Sequence, residues 1–146
     1  MRVLGIDHGD RHVGLALSDP LLITAQPLAT YALTGREDVD RRYFQDLVAR
    51  HDVGEIVLGD PLRMDGSTGT RAGKARSFAA WLKKAVGLPV VLLDERLTTQ
   101  QALKDLDDDR LRGKKKKVWE DQVAAVIILS TYLERKRGEA RGPEGD

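Results

Sequence analysis

The chain has 146 residues, a net charge of +1, 41% hydrophobic and 32% charged residues, and no cysteine. That length fits one domain burying roughly two thirds of its unfolded surface, and the lack of thiols excludes disulfides and thiolate metal sites. The apolar runs are far too short to cross a bilayer, and Met1 to Asp7 runs straight into a strand with no room for a signal peptide, so no membrane partner is expected.

Val3 to Ile6 is an apolar run ending at Asp7. His8, Gly9, Asp10 and Arg11 supply turn chemistry, and Val13, Leu15 and Leu17 then alternate as in a half-buried strand, so the pair reads as a hairpin. A third strand is expected within Ala25 to Leu33, with Pro27 blurring its start. Thr34 with Glu37 fits a capping box ahead of Val39, Tyr43 and Leu47 at helical spacing. Ile56 to Gly59 reads as a fully buried strand, followed by a loop from Asp60 to Thr70. Ala75, Phe78, Leu82 and Ala85 mark a second helix, stopped by Gly87 and Pro89. Val90 to Leu93 is another buried strand. Thr98 with Gln101 can cap a short helix, and a last helix spans Val118 to about Arg137. The domain is therefore residues 1–137, with a disordered tail at 138–146.

This order, three strands and then alternating helices and strands, predicts an α/β fold. The mixed sheet has about five strands, three antiparallel and then two parallel, with helices on both faces. Right-handed crossovers make the strands ending at Asp7, Gly59 and Glu95 parallel. Their C-terminal ends then share one edge, where ligand sites of open α/β sheets lie.

Three acids stand out. Asp7 ends the first strand. Asp94 and Glu95 end the last, and strand alternation sends them to opposite sides, so one enters the site while the other pairs locally with Arg96. Asp121 lies near the start of the last helix, sharing the face of Ala124, Ala125 and Ile128, where the helix dipole favours a negative charge. A buried carboxylate needs a partner. Carboxylates alone make a hard, oxygen-lined site that prefers Mg²⁺ or Mn²⁺ to zinc. Two ions roughly 4 Å apart suit phosphodiester hydrolysis without a protein nucleophile.

The motifs that carry these acids are Gly5-Ile6-Asp7-x-Gly9 with Gly14 and Ser18-Asp19; Val57-Leu58-Gly59-x-Pro61-Leu62-x-Met64-Asp65-Gly66-Ser67; Asp94-Glu95-Arg96-Leu97-Thr98-Thr99; and Asp121-x-Val123-Ala124-Ala125-x-Ile127-Ile128-Leu129. In this order they resemble the YqgF/RuvX family, relatives of the RuvC resolvase in the ribonuclease-H-like superfamily. The resemblance implies that Asp7, Glu95 and Asp121 are metal-binding catalytic acids. It also implies a cytoplasmic nuclease acting on structured nucleic acid, either ribosomal RNA precursor in small-subunit maturation or branched DNA at a Holliday junction. Asp60 departs from the pattern, standing where the family usually has an apolar residue. It reads as a brace for its loop, with a fourth ligand as the alternative.

The net charge conceals basic clusters suited to a phosphate backbone. Arg63, Arg71, Lys74 and Arg76 form one group, and the first three flank the 60–70 loop. Lys114, Lys115, Lys116 and Lys117 precede the last helix, after Arg110 and Arg112. Asp107 to Asp109 read as a solvated helix end. His8, His12 and His51 show no ligand spacing, and alternation turns His8 away from Asp7. Trp81 and Trp119 read first as packing residues, with base stacking open for Trp119 beside the lysines. One rival reading is an ATP-binding protein, since Gly5-Ile6-Asp7-x-Gly9 also looks like a phosphate loop of the actin and sugar-kinase group, but 146 residues leave no second lobe. Another is a non-catalytic nucleic-acid-binding factor. Cutting two opposed strands of a junction would call for a homodimer.

Overall fold

The computed structural model describes residues 1–61, 70–98 and 114–141, apart from the side chains of 70, 114–118 and 140–141. Five strands form one sheet: β1 (Arg2–His8), β2 (His12–Ser18), β3 (Ala25–Ala32), β4 (Val53–Asp60) and β5 (Val90–Asp94), in the order β3-β2-β1-β4-β5. β1, β2 and β3 pair antiparallel, while β4 and β5 join β1 in parallel, as the alternation of motifs predicts. Pro27 sits on the edge strand β3, where a missing N–H is tolerated, and the register shifts opposite it between Leu15 and Ala16.

Helices α1 (Glu37–Arg50) and α2 (Thr70–Val86) cover one face, and α3 (Lys114–Arg141) crosses the other. The strand period of two sorts the side chains between them. Leu4, Ile6, Leu15, Ile56 and Leu58 pack with Phe44 and Leu47 of α1 and Ala75, Ala79 and Leu82 of α2. Val3, Ala16, Val57 and Leu93 pack with Ala125, Ile128, Leu129 and Leu133 of α3.

The start of α1 differs from the expected capping box. Its N-cap is Arg36, without a side-chain cap. The Thr34 hydroxyl instead accepts from Arg36 N–H at 3.0 Å and donates to Asp40 Oδ1 at 2.8 Å, which also accepts from Tyr31 at 2.6 Å. Burial pushes the Asp40 carboxyl up, but these hydrogen bonds outweigh it and hold the carboxyl below its usual range. A buried acceptor therefore takes the threonine that the sequence pattern assigns to the helix end.

α3 is longer than predicted at both ends. It begins at Lys114, not Val118, so residues 114–117 form its first turn and Asp121 lies at the end of its second. The dipole acts within the first turn, so it does not account for the placement of Asp121. The helix also continues through Gly138 to Arg141, so the first residues of the expected disordered tail are helical. One glycine costs about 1 kcal/mol in a helix, too little to stop it. Residues 142–146, the expected loop at 62–69 and the expected helix after Thr98 lie outside the described residues.

What lets α3 lie so close is bare backbone on the sheet. A Cβ on Gly5 would sit 2.7 Å from Leu129 Cβ, and one on Gly14 only 2.0 Å from the Asp121 carbonyl oxygen. Gly14→Ala should therefore lower stability by about 1–3 kcal/mol, read as a lower urea midpoint at unchanged slope. Gly138→Ala meets no atom within 4 Å among the described residues and should stabilise α3, by up to about 1 kcal/mol.

Candidate active site

The acids gather at the C-terminal edge of the parallel strands. Alternation puts Asp7 on the α3 face with Val3 and Gly5, and its side chain is 15% exposed. Across the ladder it faces Gly14. A Cβ there would lie 3.2 Å from Asp121 Cβ, so the helix comes down on the strand beside Asp7. Asp121 itself is buried, on the inward stripe of Ala125 and Ile128.

Glu95 reaches the same face from the other side. It opens a single 3₁₀ turn, Glu95–Leu97, directly after β5. A Cβ on Gly59 of β4 would lie 3.0 Å from Glu95 Oε1 and 2.7 Å from Ile128 Cδ1. The absent side chain at Gly59 thus leaves the space that Glu95 and α3 share. Burial raises the Glu95 pKa, and the neighbouring charge of Asp7 raises it further. Asp60 and Asp94 add to this, and Arg71 opposes it.

The sequence leaves open which of Asp94 and Glu95 enters the site. In the structure Asp94 caps the 3₁₀ turn, accepting from Arg96 N–H at 2.9 Å and from its guanidinium at 2.7 Å. The Arg96 side chain holds the Asp94 carboxyl below its usual range. Asp94 pairs locally, and Glu95 stands with Asp7.

Asp60 lies on the opposite face, toward α2, where the alternation of Ile56 and Leu58 places it. It does more than brace a loop. Its Oδ2 accepts from Arg76 Nη2 of α2 at 3.0 Å, with the Asp60 side chain 9% exposed. Its Oδ1 is buried and has no hydrogen-bond partner among the described residues. Sequence reasoning groups Arg76 with the basic patch. The signal for a structural role is its place beside Ala72, Ala75 and Ala79, the buried stripe of α2.

Of the predicted phosphate contacts, two lie at this edge. Arg71 Nη2 is 3.9 Å from Asp7 Oδ1, and Lys74 Nζ is 3.2 Å from Asp10 Oδ1. With His8 and Gly9 they line a cleft of ≈ 250 Å³. Lys114 to Lys117 are placed by their backbone as the first turn of α3, and Arg63 lies outside the described residues. Alternation turns His8 away from Asp7, as expected, and its ring packs on Phe78 at 4.6 Å. Among the described residues no three Asp, Glu or His side chains close tightly enough to hold one ion. As they stand the acids are neighbours across a shared face. Half-buried carboxylates of this kind can take up a hard cation or accept a proton from water, and Arg71 can pair with a phosphate oxygen.

A family model described as Holliday junction resolvase, RuvX, matches residues 1–135. A relative from Lachnospira eligens named "Putative pre-16S rRNA nuclease" is 45% identical over 139 residues, covering 94% of this chain and 99% of its own length. A relative of the same name from Pelotomaculum thermopropionicum is 43% identical over 145 residues, covering 97% of this chain and 94% of its own. Among solved structures, Thermus thermophilus RuvC in complex with a Holliday junction substrate superposes with a TM-score of 0.56 at 15% identity, covering 94% of this chain and 96% of its own. The yeast mitochondrial Holliday junction resolvase gives 0.55 at 13%, covering 98% and 82%. At such identities these two speak for the architecture alone, which is the ribonuclease-H-like sheet expected from the sequence.

Glu95→Gln should raise the melting temperature at neutral pH in the absence of divalent cations. Burial and Asp7 favour the protonated acid in the folded state, so ionising Glu95 removes stability as pH rises through its folded pKa. The gain should fade below the ordinary value of 4.5, where the parent carboxyl is protonated folded and unfolded alike. A difference in melting temperature that ignores pH would contradict this.

Proposed function

The chain belongs to the RuvX family, and from that premise we propose that it is a divalent-metal-dependent endonuclease acting on structured nucleic acid. The observation that carries the reading is the placement of the half-buried Glu95 carboxyl on the same face as Asp7, whose charge opposes its ionisation. Holding like charges together in a partly dry edge makes sense where a cation arrives to neutralise them.

The residues fit such a group. All the donors are oxygens, matching Mg²⁺ or Mn²⁺. Asp7, Glu95 and Asp121 would hold two ions. The chemistry those ions supply when bound is activation of water and stabilisation of the leaving 3′ oxygen. The protein's own part is positional. Asp7 is fixed by β1, Asp121 by the contact of α3 with Gly14, and Glu95 by the clasp of Asp94 on Arg96. Arg71, with Lys74 behind it, receives the phosphate of the strand to be cut. Lys114 to Lys117 and Arg63 would extend that contact along the backbone.

The names of the relatives favour the precursor of small-subunit ribosomal RNA as substrate. The family description favours a four-way DNA junction as the second reading, for which a homodimer would supply paired active sites. An rRNA-processing role fits the cytoplasm, and no described helix is long and apolar enough to cross a membrane.

Asp7→Asn should reduce Mn²⁺- or Mg²⁺-dependent cleavage of both substrates at least about a hundredfold. Binding measured in EDTA should stay within a few-fold of the parent. EDTA should likewise stop cleavage by the parent, and fresh Mn²⁺ should restore it. Equal cleavage by mutant and parent would reject the mechanism, and binding without any metal-dependent cleavage would favour a non-catalytic factor.

A further inference from the structure

A cavity of ≈ 710 Å³ opens at the same sheet edge but on the opposite face, between α1, α2 and the β1–β2 turn. One wall is aromatic. Phe78 and Trp81 of α2 tilt together at 5.5 Å between ring centroids, both only half-buried, and Leu33 adds to the apolar lining. The rim is charged, with Asp10, Glu37 and Asp40 against Arg11. A second cavity, lined by Asp10, Gly73, Lys74 and Ser77, lies between this pocket and Arg71. The path from Arg71 to Trp81 runs along ten residues of α2, about 15 Å of helix.

We propose that this pocket receives an unstacked nucleobase of the substrate strand, held against Trp81 while Arg71 and Lys74 hold the adjoining phosphates. The inference rests on the nucleic-acid reading above and adds a subsite to it. Three carboxylates against one guanidinium make the pocket hostile to phosphate. Carboxylate oxygens do accept from the amino and imino groups of bases. Asp40 spends its own on Tyr31 and Thr34, while Asp10 accepts from Lys74 and Glu37 from Arg41 through one oxygen each, so a base would be met at the rim by the second oxygens of Asp10 and Glu37. Flat apolar walls with two or three polar groups at the mouth suit a planar heterocycle. The cations needed for the strand's phosphates stand outside, on the side of Asp7. Recognition of unpaired nucleotides by aromatic stacking tolerates sequence and is worth about a tenfold change in affinity per base.

The test uses full-length W119F protein, in which Trp81 is the sole tryptophan, with EDTA present so that binding is read without cleavage. The probes are a single-stranded oligonucleotide and a strand of equal length whose bases are all removed. The strand with bases should quench Trp81 emission and bind about tenfold tighter than the abasic strand. In fluorescence-anisotropy titrations with labelled probes, W81A should lose that difference while keeping the weak, salt-sensitive binding of the abasic strand. W81L keeps apolar packing on Phe44 and Phe78 without the indole face, so it should match W81A, and W81F should recover most of the difference. Circular dichroism separates these effects from unfolding. Equal affinity of the parent for both strands, or a preference that survives in W81L, would overturn the proposal and leave the nuclease reading standing. No binding of either strand would also overturn the proposal, and the cleavage assay on structured substrates tests the nuclease reading separately.

Discussion

The active edge depends on how close α3 can come to the sheet. A helix packed through ordinary side chains stands 8–10 Å from its neighbour, which would hold Asp121 away from β1. Gly5 and Gly14 remove the side chains that would intervene, and at Gly14 the helix backbone itself fills the place of a Cβ. Gly59 does the same on β4 and admits Glu95 beside Ile128. The acids meet because positions on three neighbouring strands carry no side chain. The apolar stripe of Ala125, Ile128, Leu129 and Leu133 supplies the burial that holds this close packing together.

The second constraint is the division of labour between the sheet faces. Asp7 and Glu95 face α3, whereas Asp60, His8 and the base of α2 face the other way. The Asp60–Arg76 pair ties the end of the central strand to α2 at 3.0 Å. Arg71, whose exposed guanidinium stands beside Asp7, lies on the same helix as this part-buried pair. A paired acid on the α2 face thus anchors the helix that carries a cation to the acids of the α3 face.

Much of this was legible from the chain. The strand order and the mixed pairing follow from alternating apolar runs with Pro and Gly stops, and a period of two separates Asp94 from Glu95 without saying which of them enters the site. What escaped had physical reasons. Thr34 carries a capping pattern, but a buried Asp40 competes for its hydroxyl, and burial cannot be read from four residues. The start of α3 escaped because lysines at 114–117 oppose the helix dipole and argue for a later beginning, yet the helix includes them. Arg76 looked like one more surface cation because its partner is 16 residues away, at the end of the strand that α2 packs on. The aromatic pocket escaped because its walls come from α2, the β1–β2 turn and the segment after β3, which no local pattern connects.

The hairpin end at Asp7 and His8 has a metric consequence. These consecutive residues point to opposite faces, Asp7 toward the acids and His8 onto Phe78 of the pocket wall. Their α-carbons are separated by a single peptide unit, about 3.8 Å, which no loop motion can stretch. A strand engaging both faces would therefore be measured off by covalent geometry, like cloth against a fixed ruler.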